Sequence, residues 1–377
     1  MSATKVISSA TSDLISDQRV DRVCRTLSRM GFELCLVGRR KKSSPAMTKR
    51  LYETRRLNTF FEKGPFFYLE YNVRLFWFLL KEDADVLLAN DLDTLPANVM
   101  ASILKRIPLV YDSHEYFTEV PELVHRPLVR SVWKIIERLC IPFVDKAITV
   151  SDSIAQVYND MYKVNFVTVR NFPEFVEYEN LKANSQNDFH GTKGKKILLY
   201  QGSVNVGRGL EEMIEAMQFL TEFVFIIIGD GDILNELKIQ HEKLEWKERI
   251  QFLGRIPFEN LQSLTIHADL GISAEKNIGL SYSYCLPNKV FDYVQAGVPV
   301  LLSNLAEMKK LNDKFGFGVV LENHDAKNIA RQIKDLFEDN ALYSELIENV
   351  LKAKTELNWD KESDKIKKIF GEYLSPS

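Results

Sequence analysis

Residues 196–210 read KILLYQGSVNVGRGL. An apolar run from Lys196 to Tyr200 breaks at Gly202. A polar loop follows, with Ser203 beside the first glycine and further glycines at Gly207 and Gly209, and then an acidic helix start, Leu210-Glu211-Glu212. Strand, glycine loop and helix together form a device for holding an anion: glycines let the backbone approach, and the helix start offers N–H groups and the positive end of a dipole. Arg208 adds a planar fork of donors suited to phosphate. The loop matches neither G-x-G-x-x-G nor G-x-x-x-x-G-K-[ST]. Taken alone, it is read equally well as an ordinary strand-to-helix turn carrying a surface arginine.

Working outward, short apolar runs alternate with amphipathic stretches on both sides of this segment. Strands are expected at Val6–Ser8, Leu34–Val37, Val86–Ala89, Leu109–Tyr111, Ala147–Val150 and Val167–Val169. After the loop they recur at Ile197–Tyr200, Val224–Ile228, Ile250–Leu253, Leu270–Ser273, Val298–Leu302 and Val319–Leu321. The intervening DQRVDRVCRTLSRMG (17–31) puts Val20, Val23, Cys24 and Leu27 on one helix face, with Gly31 as a stop. Buried strands alternating with helices mean βαβ units and parallel sheets. The polar stretch KANSQNDFHGTKGKK (182–196) separates the two series. The expected class is therefore α/β, with two doubly wound Rossmann-like domains and a cleft between them. The expected division is residues 1–183, a linker at 184–196, residues 197–357, and a C-terminal helix at 358–377 that packs back on the first domain.

Composition agrees with a soluble two-domain protein. The chain has 377 residues, 45% hydrophobic and 27% charged, with a net charge of −3, so no nucleic-acid partner is expected. Residues 1–180 carry 25 Lys and Arg against 23 Asp and Glu, and residues 181–377 carry 24 against 29. Cys24, Cys35, Cys140 and Cys285 are scattered with no C-x-x-C, which argues for reduced thiols and against a zinc site. The start, MSATKVISSATSD, has no long apolar core, so no signal peptide is expected and a cytoplasmic location is. The run LFWFLL (75–80) is far shorter than the roughly 20 residues of a membrane span.

A second segment, EKNIGLSYSYCLPNKVFDYVQAGVPVLLSN (275–304), follows an expected strand. Glu275 then projects from a strand's C-terminal end. Gly279 and Leu280 can present backbone N–H groups, and Lys289 can supply a positive charge. Asp292 falls in the first turns of a helix that stops at Gly297. A carboxylate there can accept hydrogen bonds from a ribose diol; the plainer reading is an acid complementing the helix dipole.

Together the two segments resemble the C-terminal domain of retaining glycosyltransferases of GT-B fold, the "glycosyl transferases group 1" family. The resemblance rests on Gly202…Arg208-Gly209-Leu210-Glu211, on IIIGDGD (226–232), and on Glu275, Gly279-Leu280, Asp292 and Gly297-Val298-Pro299-Val300 in that order. NDLDTLP (90–96), LVYDSHEYFTE (109–119), ITVSDSIA (148–155) and VRNFPE (169–174) resemble the family's N-terminal domain. The chain departs from the common pattern in several ways. The first loop of the N-terminal half, SSATSDLISD (8–17), lacks the glycines often found there. Sixteen residues separate Glu275 from Asp292, with SYSYCLPNK inserted; the second acid is Asp rather than Glu; Ser203 stands where an Arg is frequent; and Arg208 stands where a Lys is common.

What the resemblance implies is transfer of a sugar, with retention, from a nucleoside-diphosphate sugar to an acceptor hydroxyl. Such an enzyme would act in cell-surface polysaccharide or glycolipid assembly, on a glycan or lipid-linked acceptor. Arg208, Lys289 and the N–H groups around Gly202 and Gly279–Leu280 would stabilise the leaving diphosphate, so no metal or other cofactor is expected. Asp91-Leu92-Asp93 is a D-x-D tripeptide, but it lies in the N-terminal half. Glu275 would bind sugar hydroxyls. His114 would lie beside the donor sugar and acceptor, with Glu115 as its hydrogen-bond partner and Asp112 structural. The alternatives are a sugar-nucleotide epimerase on the same fold and a non-catalytic sugar-nucleotide-binding protein. An NAD-dependent dehydrogenase ranks last, because no early strand is followed by G-x-G-x-x-G.

Two stretches stay open at this level. RRKKSSPAMTKRLYETRR (39–56) holds eight Lys and Arg and one Glu. It is either a weak contact with an anionic membrane, which would place the protein peripherally at the inner face, or a contact with a phosphate-bearing acceptor, or a solvated loop and helix face. FFEKGPFFYLEYNVRLFWFLLK (60–81) is rich in aromatics; burial against the sheet is favoured over an interfacial helix.

Overall fold

The computed structural model describes residues 3–15, 17–177, 189, 192 and 194–374. The chain divides into two compact units, residues 1–171 with 362–377, and residues 172–361.

The first unit is built on seven parallel strands: β1 (Lys5–Ser9), β2 (Glu33–Arg40), β3 (Glu53–Asn58), β4 (Val86–Asn90), β5 (Leu109–Ser113), β6 (Lys146–Thr149) and β7 (Phe166–Thr168). Their order is β3-β2-β1-β4-β5-β6-β7, so the direction of winding reverses between β1 and β4, where Ile7 stands opposite Leu87. The helix Gln18–Arg29 follows the expected pattern: Asp17 caps it by accepting from the Val20 N–H at 3.3 Å, and Val20, Val23, Cys24 and Leu27 are buried. The second unit has six parallel strands: β8 (Lys196–Gln201), β9 (Phe223–Ile228), β10 (Ile250–Gly254), β11 (Leu270–Ser273), β12 (Val300–Leu302) and β13 (Gly318–Val320). Their order, β10-β9-β8-β11-β12-β13, reverses between β8 and β11.

The sequence periodicity anticipates every one of these strands except β3. ETRRLN is half charged and lies at the sheet edge, pairing with β2 alone. Edge strands carry such charges, which discourage further pairing, and so lack an apolar run. The basic run Arg39–Arg56 is thus a loop, residues 41–52, between two strands and carries no helix: it closes β2 and supplies most of β3. Several of its cations have partners. Arg50 donates to Asp21 at 3.1 Å and to the Tyr52 hydroxyl at 2.7 Å, Arg56 donates to the Pro45 carbonyl at 2.9 Å, and Arg39 lies over the Phe67 ring.

The division between the units falls at Asn171/Phe172 and not at 183. Phe172 is buried in the second unit, its ring 4.6 Å from that of Phe291, and the Trp359 N–H donates to the Pro173 carbonyl at 2.7 Å. The linker expected at 184–196 lies largely outside the described residues, and its last residue, Lys196, opens β8. The helix Trp359–Gly371 belongs to the first unit from Glu362 onward. There Glu362 accepts from the Arg170 N–H at 2.7 Å, and Phe370 meets Phe32 edge-on at 6.2 Å.

Asp112, inside β5, is fully buried and anchors the helix Gln18–Arg29 to the sheet. Arg19 donates to both its oxygens, at 3.0 and 2.6 Å, and to the Val169 carbonyl at 2.8 Å. Removing one partner of a buried ion pair leaves an uncompensated charge. Arg19→Met is expected to lower the unfolding free energy by about 3–5 kcal/mol, and adding Asp112→Leu to recover most of that loss. Denaturant titration of the three proteins checks this; a single-variant loss below about 1 kcal/mol, the size of an exposed pair, would remove Arg19 as the anchor.

Candidate active site

β8 and β11 are parallel neighbours, with Leu270 opposite Leu198 and Gly271 opposite Leu199. Both strands run in the same direction, so their C-terminal ends lie side by side where the strand order reverses. In open α/β sheets this is where ligands bind. The loop 202–209 leaves β8 there, and Glu275 follows β11 by two residues. Gly209 is what lets the two segments touch. Its φ is +71°, and a Cβ at this position would stand 2.1 Å from the Ala274 carbonyl oxygen, so no side chain fits.

Glu275 is fully buried. Ser273 Oγ donates to its Oε2 at 2.7 Å, and Lys289 Nζ donates to its Oε1 at 2.8 Å. Arg208 Nη1 stands 3.7 Å from the same Oε1. Burial pushes the Glu275 carboxyl up, but Lys289, then Arg208 and the two hydrogen bonds, outweigh it and hold the carboxyl below its usual range. Burial alone would lower the Arg208 guanidinium, yet Glu275 and the neighbouring tyrosines raise it, so the charge is secure. The two cations are held differently. Lys289 is 7% exposed, hydrogen-bonded to Glu275 and seated 3.9 Å above the Tyr200 ring. Arg208 is 25% exposed, lies 5.0 Å from the Tyr282 ring centre, and among the described residues its buried Nε finds no hydrogen-bond partner.

The other expected residues gather around this cluster. Lys289 Cε would touch a Cβ at Gly202, at 3.5 Å, so the ammonium lies beside the glycine loop. Ser203 is exposed next to it and accepts from the Tyr200 hydroxyl through its carbonyl at 2.6 Å. Gly207 accepts from the Lys276 N–H at 2.8 Å and packs against Ile278, which precedes Gly279 and Leu280. Leu280 opens the short helix Leu280–Ser283. Lys289 and Asp292 both lie on the helix Asn288–Ala296, where Lys289 is in the first turn rather than in a loop. Asp292 sits one turn further in, too far from the end for a role in offsetting the dipole. Its Oδ2 accepts from Gln201 Nε2 at 3.2 Å, and Gln201 Oε1 accepts from Thr265 at 2.8 Å, which ties the carboxylate to the end of β8.

His114 belongs to the first unit and has a cluster of its own, at the end of β5. Its N–H donates to Asp91 Oδ1 at 2.9 Å, its Nδ1 lies 3.2 Å from Asp91 Oδ2, and its Nε2 lies 3.6 Å from Asp112 Oδ2. Asp91 is held in the left-handed conformation, φ +59°, which Asp tolerates. The partner of His114 is therefore Asp91, from the loop after β4, and not Glu115, whose side chain is exposed. Burial lowers the tendency of His114 to charge, but Asp91 and Asp112 outweigh it, so the imidazole stays protonated well above its ordinary range. Burial likewise pushes the Asp112 carboxyl up, and Arg19 and His114 bring it down to about 2. Asp93 is raised to about 7 by burial and by Asp91; its Oδ2 accepts from Thr11 Oγ1 at 2.6 Å.

Sequence reasoning missed Ser273, Tyr200, Tyr282, Gln201 and the role of Asp91. Ser273, two residues before Glu275 and therefore on the same side of the extended chain, carried a local signal. The tyrosines and Gln201 meet the site only through strand pairing and loop folding.

Comparisons with known proteins identify the family and the fold. Residues 17–177 match the family profile "Glycosyltransferase Family 4", and residues 182–353 match "Glycosyl transferases group 1". The chain belongs to these glycosyltransferases. Similar solved structures include sucrose-phosphate synthase from Thermosynechococcus elongatus, 14% identical with a TM-score of 0.78 over 98% of this chain and 99% of that one. They also include HepE from Anabaena in complex with UDP-glucose, 14% identical with a TM-score of 0.76 over 98% and 99%. A third is WaaG, a glycosyltransferase involved in lipopolysaccharide biosynthesis, 14% identical with a TM-score of 0.71 over 97% and 99%. Comparison with curated protein sequences gives no match. The fold is GT-B, and the protein is a glycosyltransferase.

The raised His114 has a consequence for stability. A histidine whose folded-state pKa exceeds its unfolded value stabilises fully below the unfolded value, about 6.5, and loses that contribution as pH rises through the folded value. His114→Gln is expected to melt below wild type by the widest margin in mildly acidic buffer, with the gap narrowing toward alkaline pH. Melting curves of both proteins across pH test this; a gap that widens with pH would contradict a protonated His114.

Proposed function

We propose that the protein transfers a sugar from a nucleoside-diphosphate sugar to an acceptor hydroxyl with retention of configuration, and that Arg208 is the group that meets the diphosphate. The observation that carries this reading is the asymmetry at Glu275. One cation, Lys289, is buried and hydrogen-bonded. The other, Arg208, stands 3.7 Å away, partly exposed, and its Nε has no hydrogen-bond partner among the described residues. Lys289 holds the Glu275 carboxylate in place for the sugar hydroxyls. Arg208 turns to the leaving phosphate, beside the backbone of Gly202, Ser203, Gly207 and Gly209 and that of Gly279 and Leu280. Asp292, positioned by Gln201, takes the ribose.

Similar structures crystallised with UDP and UDP-glucose support a nucleotide-sugar donor. The leaving group gains negative charge as the glycosidic bond breaks, and fixed positive charge aimed there lowers the barrier. Arg208 and Lys289 make a divalent metal unnecessary in this scheme. The acceptor attacks from the face the diphosphate leaves, and the departing phosphate takes its proton. His114, kept charged between two carboxylates, suits donation of a hydrogen bond to a hydroxyl rather than removal of a proton.

The acceptor is proposed to be a glycan or lipid-linked sugar of cell-surface polysaccharide or glycolipid assembly. Exposed Arg40, Lys42 and Lys49 of the basic run offer a weak, screened contact with an anionic membrane at which such an acceptor is presented.

A thermal-shift screen with UDP and other nucleoside diphosphates identifies the base, and NMR of the product from the matching sugar donor reads the anomer. A product of inverted configuration would overturn retention, and release of a free epimer without acceptor would favour epimerisation. Arg208→Ala is expected to lower kcat by about 10²-fold or more, on the scale of one preorganised donor. Unchanged turnover by the folded variant would remove Arg208 from the site. Activity is also expected to survive EDTA; loss restored by Mg²⁺ or Mn²⁺ would overturn the metal-free scheme.

A further inference from the structure

The peptide that leads into Glu275 is held from two strands away. β11 ends at Ser273, whose carbonyl accepts from the Ser303 N–H at 2.9 Å and closes the ladder to β12. Ala274 lies one residue past that ladder and is fully buried. A buried carbonyl without a donor costs free energy. The donor it finds is His324 Nε2, at 3.1 Å. Strand register explains the reach. Ser273, Leu302 and Val320 stand opposite one another on β11, β12 and β13. Ala274, Ser303 and Leu321 therefore form the next row, and His324 follows in the loop after β13. Ser303 Oγ lies between them, 3.3 Å from the same Nε2.

A carbonyl oxygen only accepts, so the bond requires the proton on Nε2. The loop that carries the imidazole is itself fixed. Leu321 is buried, the Glu322 N–H donates to Gln332 Oε1 at 3.0 Å, and Asn323 Oδ1 accepts from the Asp325 N–H at 2.9 Å. Asp325 then caps the helix Ala326–Glu338 by accepting from the Lys327 and Asn328 N–H groups. On the near side, the Ala274 oxygen lies against Gly209, where a Cβ would stand 2.1 Å away. The carbonyl of Ala274 and the N–H of Glu275 belong to one planar peptide, so fixing the oxygen fixes the direction in which the chain enters Glu275. One residue further on, the Lys276 N–H is tied to the Gly207 carbonyl at 2.8 Å. Ser273 and Lys289 hold the Glu275 carboxylate; His324 holds the backbone that carries it.

We propose that His324 is a positioning residue for Glu275: through the Ala274 carbonyl it sets the place at which the carboxylate meets the sugar of the donor. The inference rests on the reading of Glu275 as the group that binds sugar hydroxyls. His324 touches neither sugar nor phosphate in this scheme. A site group keeps its geometry only when its supporting bonds do, and a small displacement weakens its hold on a ligand anchored elsewhere. Asp292 is placed by Gln201 and not by Ala274, so the effect falls on the sugar and spares the nucleoside. A histidine that merely closed the sheet edge would act on stability and on both parts of the donor alike.

The test is calorimetry of the full chain with UDP and with UDP-glucose, together with melting temperatures. The proteins compared are wild type, His324→Gln, His324→Asn, His324→Leu and Glu275→Gln. Gln sets an amide nitrogen near the place of Nε2, Asn keeps the amide but falls a bond short, and Leu removes the donor. His324→Asn and His324→Leu are expected to weaken UDP-glucose roughly tenfold, the scale of one hydrogen bond, and UDP by less than about twofold. His324→Gln is expected to restore the wild-type affinity for UDP-glucose, and Glu275→Gln to show the same selective loss as His324→Asn. Either donor-less variant suffices if the other fails to fold. Unchanged UDP-glucose binding by that variant, while Glu275→Gln loses it, would overturn the role of His324 alone. Parallel loss of both ligands, no recovery in His324→Gln, or failure of both donor-less variants to fold would make His324 a residue of the scaffold and overturn it too. Glu275→Gln with full affinity for UDP-glucose, or a wild type that binds neither ligand, would remove the reading of Glu275 and this role with it.

Discussion

An ionised carboxylate with no exposure to solvent has to be matched by charge and hydrogen bonds from its own protein, and Glu275 sets that requirement for the second unit. Desolvation costs several kcal/mol per ion, which only close and well-oriented partners offset. Three segments answer it: Ser273 from the end of β11, Lys289 from the helix Asn288–Ala296, and Arg208 from the loop after β8. Satisfying one carboxylate thereby fixes the glycine loop, the strand end and the helix relative to one another. It also leaves Arg208 the less committed of the two cations, the property a group needs if it is to exchange a protein partner for a phosphate.

The first unit uses the same rule with the signs exchanged. His114 is charged because Asp91 and Asp112 flank it, and Asp112 is tolerated inside β5 because Arg19 grips it with two hydrogen bonds. The chain Arg19–Asp112–His114–Asp91 connects the helix Gln18–Arg29 to the loops after β4 and β5. A sheet whose winding reverses at its centre makes both clusters economical, since the loops that meet at the reversal come from strands far apart in sequence.

The alternation of apolar runs and helical patterns was enough to determine a pair of parallel α/β sheets, because strand and helix periods are local properties of the chain. Motif order likewise marked Arg208, Glu275, Asp292 and His114, and the position of Lys289 between Glu275 and Asp292 marked it as a second positive charge. Local pattern did not carry β3, whose charged edge position is defined by the absence of a neighbour, nor the boundary at Phe172, which depends on a ring buried against Phe291. It did not carry the partner of His114 either. Glu115 is adjacent in sequence, but consecutive residues at a strand end point apart, and the parallel register of β4 and β5 brings Asp91 instead. Only tertiary structure decided that Lys289 and Arg208 share one carboxylate and that Asp292 hangs from Gln201. Pairing of β8 with β11 brings those groups together across some eighty to ninety residues of chain, and no sequence spacing encodes a contact of that kind.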